Sequence, residues 1–295
     1  MRIAVDAREL CGHATGVGRY LTGLLDAWAG TGQLAQHQLT LIAHQPIASV
    51  RWPVELKVIE GNGGTLWEQT VLRRVAGAEH ADVFFAPGYT APLMVATPLV
   101  LTIHDVSYFA HPEWFMPREG LRRRALTKWS ARRARRVITD TEFSRSEIAR
   151  YVGVDSQVIP LGISREPGVA DRGREPIVLF VGSLFQRRRI DRLIGAFKLV
   201  ADRLPHARLE IVGDNRTRPA IDFDALRQQT GHADRIHIRS YVDDATLADL
   251  YAQASVFAFL SEYEGFGLTP LEALAEGVVP LLLDTLRSWD ALPRS

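Results

Sequence analysis

The sequence predicts an α/β protein of two doubly wound, Rossmann-like domains. Three observations carry this. Short apolar runs alternate with amphipathic helical patterns; the alternation breaks at a polar, Pro- and Gly-containing segment; and beyond that segment it restarts. A chain of 295 residues suits two ordinary domains.

In the first half the apolar runs are Ile3 to Val5, Leu39 to Ala43, Val83 to Ala86, Leu99 to Ile103, Val137 to Thr139 and Gln157 to Pro160. Helical spacing lies between them at Val17 to Trp28, Leu66 to Ala76 and Leu121 to Ala134. Ser164 to Pro176 is polar and aperiodic, and reads as a linker. The domains are therefore expected at residues 1–164 and 177–295, joined by 165–176. In the second half Ile177 to Val181 is a fully apolar strand, followed by a helix from about Ile190 to Leu204. Further strands are expected at Leu209 to Val212, Ile236 to Ile238, Val256 to Leu260 and Val278 to Leu283. Open parallel sheets bind ligands at the carboxyl ends of their strands, so two such domains are expected to face a cleft.

Composition narrows the class. Apolar residues are 46% and charged residues 23%, as in soluble globular proteins. The net charge of +1 gives no overall field toward nucleic acid. A single cysteine, Cys11, excludes a disulfide framework and points to a cytoplasmic compartment. No apolar run approaches the roughly 20 residues of a membrane span. The first residues read as a strand and lack the apolar stretch of a signal peptide.

The strongest motif is Glu262-Tyr263-Glu264-Gly265-Phe266-Gly267-Leu268-Thr269-Pro270-Leu271-Glu272, directly after a predicted strand. Gly265 and Gly267 permit close backbone approach to a ligand. Thr269 and Pro270 mark a helix start, with Glu272 completing a capping box. The free N–H groups and dipole of that helix suit an anion such as a diphosphate. A capped helix after a glycine turn accounts for Thr269, Pro270 and Glu272, but leaves Glu264 and the two glycines unexplained.

Gly182-Ser183-Leu184-Phe185-Gln186-Arg187-Arg188-Arg189 follows the first strand of the second domain. Cations there oppose the helix dipole unless they serve an anion. Thr15-Gly16-Val17-Gly18 follows the first strand of the chain, but Leu21 replaces the third glycine of a dinucleotide fingerprint, so NAD is disfavoured; a helix-entry turn is the plainer reading. His104 ends an apolar strand, with Asp105 placed to bond nearby backbone. Thr141 or Ser144 is placed to cap the following helix. Arg118 to Arg136 is a basic helix in which Leu121, Ala125 and Trp129 recur every four residues. It suits an anionic lipid surface, with a solvated helix face as the alternative. No carboxylate cluster has metal-ligand spacing, and no metal is expected.

These motifs resemble the retaining glycosyltransferases of family 4, the glycosyl transferases group 1, over nearly the whole chain. Glu264 and Glu272 match the two glutamates of that family's E-x7-E motif. The resemblance implies a GT-B fold and sugar transfer from a nucleotide-diphosphate sugar, such as GDP-mannose or a UDP-sugar. The acceptor it implies is a polysaccharide or lipid-linked glycan. It places Glu264 near the donor sugar, Glu272 on the ribose, Gly265, Phe266 and Gly267 on sugar hydroxyls, and Leu268 and Thr269 on the diphosphate. It implies donor contacts for Gly16, Ser183, Arg188, Gly213 and Val242, and a place for His104 close to the reacting sugar. Ser183 stands where the family has Arg, and Arg188 where it has Lys. Arg187 or Arg189 is left to supply a second cation. Peripheral contact with the inner membrane face is expected of some members. An epimerase, a phosphorylase or a non-catalytic nucleotide-sugar-binding paralogue shares the same plan. The tail Thr285 to Ser295 does not resemble the family's continuation, so the C-terminal domain is expected to be incomplete.

Overall fold

A computed structural model describes residues 1–12, 16–78, 80–163 and 173–284. Thr15, most of the segment read as a linker and the tail Thr285 to Ser295 lie outside the described residues. The chain divides into two compact units, Met1–Gly162 and Ile163–Ser295.

Unit 1 holds a parallel sheet of β1 (Arg2–Asp6), β2 (Gln38–Ala43), β3 (Glu55–Val58), β4 (Val83–Ala86), β5 (Leu99–Thr102), β6 (Arg136–Thr139) and β7 (Gln157–Val158). Their spatial order is β3-β2-β1-β4-β5-β6-β7. Neighbouring residues feed opposite faces. Ala4, Ile42 and Phe84 enter one core with Trp67 and Leu101, while Val5, Leu41 and Phe85 enter the other with Leu21 and Leu25. A sheet buried on both faces explains why β1, β2 and β4 read as continuous apolar runs rather than alternating ones.

β3 was not legible in the sequence. Its residues Glu55-Leu56-Lys57-Val58 sit at the sheet edge and none is buried. Residues 65–78 form one helical run, with a π-turn at Glu68–Leu72 between α segments Thr65–Trp67 and Arg73–Ala78. The basic helix is Pro117–Arg133, opened by proline in its first turn. Its buried residues are Gly120, Thr127, Ser130 and Ala131. The two hydroxyls are satisfied: Thr127 Oγ1 lies 2.9 Å from the Tyr108 hydroxyl, and Ser130 Oγ accepts the Ala91 N–H at 3.1 Å.

Unit 2 holds β8 (Glu175–Val181), β9 (Arg208–Val212), β10 (Ile236–Arg239), β11 (Ala254–Phe259) and β12 (Val279–Leu282), in the order β10-β9-β8-β11-β12. β8 begins at Glu175, inside the segment read as a linker. Arg174 anchors its start by donating to the Ala254 and Glu276 carbonyls at 2.7 and 2.8 Å. The helix Ile190–Arg203 buries Ile190, Leu193, Ile194, Phe197 and Ala201, the spacing of one helical face. They pack with Phe180, Phe257 and Phe259 into one core. Val279 and Leu281 of the edge strand β12 are exposed.

The strand order reverses between β8 and β11. In an open α/β sheet that reversal opens a crevice at the carboxyl ends of the strands. It places the loops after β8 and β11 side by side.

Candidate functional site

The loop after β8 carries Gly182 to Arg189, and the loop after β11 carries Leu260 to Gly267. The Glu262 N–H donates to the Arg187 carbonyl at 2.9 Å and ties the two together. Glu264 is buried between them. Its Oε1 accepts from Arg188 Nε at 2.9 Å and from Ser261 Oγ at 2.9 Å, and its Oε2 accepts from Arg187 Nη2 at 3.3 Å. Arg187 Nε also donates to the Tyr263 carbonyl at 2.9 Å, and Arg188 Nη1 to the Ser183 carbonyl at 3.0 Å. Both guanidiniums lie over the Phe185 ring, 4.7 and 5.8 Å from its centre. Burial alone would push the Glu264 carboxyl up. The Arg187 and Arg188 charges and the hydrogen bonds outweigh burial and hold it at about 2.

Two half-buried cations therefore share one buried carboxylate. Two guanidiniums with charge-assisted donors stand at the switch point, the kind of group that holds a diphosphate. Of the two candidates for a second cation, Arg187 lies beside Arg188 on Glu264. Arg189 turns away: it adopts a left-handed backbone at φ 51 and pairs with Glu262 at 2.7 Å.

A glycine pair shapes the floor. Gly213, after β9, has φ +155, and a Cβ there would fall 2.1 Å from the Gly182 carbonyl oxygen. The loops after β8 and β9 are thus in backbone contact, with Leu184 N–H donating to the Asp214 carbonyl at 2.8 Å. Val242 packs partly buried against the unit 2 core, after β10.

The helix after the glycine loop is Leu268–Ala275, and its cap corrects the sequence reading. Gly267 is the N-cap, at φ 99, and no side chain caps the helix. Thr269 is its second residue, so Thr269 and Glu272 form no capping box. The left-handed turn at Gly267 starts the helix before Thr269. Glu272 instead accepts the Tyr251 hydroxyl at 3.3 Å. The consequence favours an anion site, because no cap side chain occupies the Leu268 and Thr269 N–H groups. Gly265 is buried, and Phe266 is half-buried.

In unit 1, His104 follows β5 and is half-buried. Its Nδ1 lies 2.8 Å from Asp140 Oδ2 and its Nε2 lies 2.9 Å from the Pro87 carbonyl. Both partners offer acceptor oxygens, an arrangement that favours the doubly protonated ring. Burial would lower its pKa, but the Asp140 charge and hydrogen bond raise it. Tyr20 and Tyr89 set their rings edge-on at 4.8 and 5.7 Å. Asp105 accepts the Ser107 N–H at 2.8 Å, and Thr141 caps the helix Glu142–Tyr151 through the Ser144 N–H at 3.0 Å. Gly16 is the first residue of the helix Gly16–Gly30, and a Cβ there would meet open space.

The sequence missed Asp140 as the partner of His104. The available signal was its position at the carboxyl end of β6, next to β5 in the sheet. It also missed the ion pairs of Arg8 with Asp6 at 2.7 Å and Glu68 at 3.0 Å.

Comparison with known proteins agrees with this architecture. Residues 14–166 match the profile of Glycosyltransferase Family 4, and residues 166–286 match that of Glycosyl transferases group 1. The chain is 26% identical over 267 residues to GDP-mannose:cellobiosyl-diphosphopolyprenol alpha-mannosyltransferase of Xanthomonas campestris, covering 86% of this chain and 66% of that protein. The fold matches sucrose-phosphate synthase from Thermosynechococcus elongatus with a TM-score of 0.76 at 20% identity, over 96% of this chain and 81% of that one. It matches Anabaena HepE, solved in complex with UDP and glucose, with a TM-score of 0.69 at 19% identity, over 100% and 83% of the two chains. The chain spans about a quarter to two thirds of the length of the curated relatives it matches. The E-x7-E loop, the two doubly wound sheets of the GT-B type and the consecutive profile matches give one conclusion: the chain belongs to Glycosyltransferase Family 4.

Proposed function

We propose that the protein moves a sugar from a nucleotide-diphosphate sugar to a hydroxyl of a polysaccharide or lipid-linked glycan, with retention of anomeric configuration. The observation that carries the reading is the pairing of Arg187 and Arg188 on the buried Glu264 carboxylate, beside a helix N-terminus with no side-chain cap. GDP-mannose is the first donor to test, since the Xanthomonas relative is named for it; a UDP-sugar is the second, since HepE was solved with UDP.

The chemistry follows from the charge. As the sugar–phosphate bond breaks, negative charge accumulates on the diphosphate. Arg187, Arg188 and the Leu268 and Thr269 N–H groups are the donors that would meet it. The acceptor attacks on the face the diphosphate leaves, and a phosphate oxygen takes its proton, so no protein base is needed. Guanidiniums carry the charge in this reading, and no metal is assigned. The reading places the reaction at the cytoplasmic face of a membrane, reached through Arg118 to Arg136.

The test is a donor screen by thermal shift, followed by turnover on polyprenyl-linked and soluble glycans with NMR of the new linkage. A melting shift with a nucleotide-diphosphate sugar, an α-linked product from an α-linked donor, and rates unchanged by EDTA are expected. An inverted linkage refutes the mechanism. Binding without turnover identifies a non-catalytic binding module. Epimerised donor, or sugar phosphate formed only with inorganic phosphate, identifies the other reactions of this architecture.

A further inference from the structure

One polar contact links the helix after β10 to the helix after β11. Tyr251 lies near the end of the first, Asp244–Gln253, and its side chain is fully buried in the unit 2 core. Its ring lies nearly parallel to that of Phe257 in β11, with centres 5.9 Å apart. Arg174 Nη1 donates to its main-chain carbonyl at 3.4 Å. Its hydroxyl donates to Glu272 Oε2 at 3.3 Å. Glu272 is half-buried, in the second turn of the helix Leu268–Ala275.

A hydroxyl in this core needs a reason. Phenylalanine would fill the same space, as Phe257 and Phe259 do in the same core, with no polar atom to desolvate. What the hydroxyl adds is control of the carboxylate. A glutamate on a half-exposed helix face samples several rotamers, and a hydrogen bond from a ring that packing has already fixed selects among them.

The helix indicates what the carboxylate is held for. Leu268 and Glu272 are four residues apart, on one face, with Glu272 about 6 Å farther along the axis. Pro270 and Ala273, on the other side, are buried. A nucleotide whose diphosphate meets the Leu268 and Thr269 N–H groups carries its pentose next to the phosphates. The vicinal hydroxyls of that pentose then fall about one turn along, where Glu272 stands. A carboxylate has about four acceptor sites, more than the Tyr251 hydroxyl uses.

We propose that Tyr251 is a positioning residue: it holds the Glu272 carboxylate toward the 2′ and 3′ hydroxyls of the donor's ribose, and so makes the site select ribonucleotide diphosphates. Tyr251 itself touches no ligand. The proposal rests on a nucleotide-diphosphate donor, and its test reads binding alone.

UDP, GDP and their 2′,3′-dideoxy counterparts are titrated calorimetrically into wild type, Tyr251→Phe, Glu272→Ala and the double variant. Tyr251→Phe keeps the ring beside Phe257 and removes one oxygen. Wild type should prefer the ribose forms by about tenfold or more. Tyr251→Phe should bind UDP and GDP about three- to tenfold more weakly, with the dideoxy forms unchanged. In the Glu272→Ala background the same substitution should cost nothing further, because no carboxylate remains to be held. A hydroxyl that served only the fold would lower both affinities together, and a partly unfolded sample leaves their ratio unaltered. Four results overturn the proposal and leave the donor reading standing: no ribose preference in wild type, equal loss for both pentoses, a Tyr251→Phe variant that binds like wild type, or an undiminished effect of Tyr251→Phe without Glu272. Wild type that binds no nucleotide diphosphate overturns both.

Discussion

Glu264→Ala should lower the unfolding free energy by about 3–5 kcal/mol, among the largest effects of any single substitution in unit 2. The side chain itself is not the reason. Its removal takes the carboxylate from between two half-buried guanidiniums, Arg187 and Arg188, which then repel each other more strongly. The pH dependence gives the sign. The Glu264 carboxyl is depressed from 4.5 to about 2, so its contribution is fully present above 4.5 and is lost as pH falls toward 2. The gap between wild type and variant, read from urea midpoints, should narrow over that window. Inorganic pyrophosphate should raise the melting temperature of the variant more than that of wild type, because the anion substitutes for the missing carboxylate. A variant as stable as wild type at pH 7 would contradict the charge assignment.

Gly213→Ala should cost about 2–5 kcal/mol by a different route. The new Cβ would lie 2.1 Å from the Gly182 oxygen and 2.6 Å from the Gly182 carbonyl carbon, with φ at +155. Backbone strain of this kind costs roughly 1–3 kcal/mol, and forced overpacking roughly as much again. The loops after β8 and β9 must separate to admit it, so nucleotide binding should fall together with stability. Gly195→Ala is the control. It lies within the helix Ile190–Arg203 with nothing within 4 Å of its Cβ position, and should stabilise by about 0.5–1 kcal/mol. Thermal unfolding of both variants measures the contrast; equal melting temperatures would refute the close approach.

The loops of this site were legible one at a time but not in combination. β8 and β11 stand out because burial on both faces writes them as unbroken apolar runs, and their following loops carry the glycines and arginines. That Glu264 would pair with Arg187 and Arg188, some 76 residues away, depends on the strand order β8-β11, which no local pattern encodes. The His104–Asp140 pair, 36 residues apart, was hidden for the same reason. The cap was misplaced because the sequence rule looks for a side-chain acceptor, and Thr269 offered one, whereas the chain turns through the backbone of Gly267. β3 escaped because an edge strand with Glu55 and Lys57 owes its place to hydrogen bonding with β2 and not to burial. On the basic helix the four-residue repeat was visible, but which side faced outward was decided by the small and hydroxyl residues that pack against Tyr108 and Ala91.

In the proposed function, Arg187 and Arg188 hold the diphosphate of a nucleotide sugar. Isothermal titration of wild type and Arg188→Ala with UDP and GDP, and with uridine and guanosine, tests it most directly. A hydrogen bond to a charged group is worth roughly 1.5–3 kcal/mol, so diphosphate affinity should fall about ten- to a hundredfold while nucleoside affinity stays unchanged. Equal loss for diphosphate and nucleoside, or no loss for either, would remove Arg188 from the phosphate site and contradict the account.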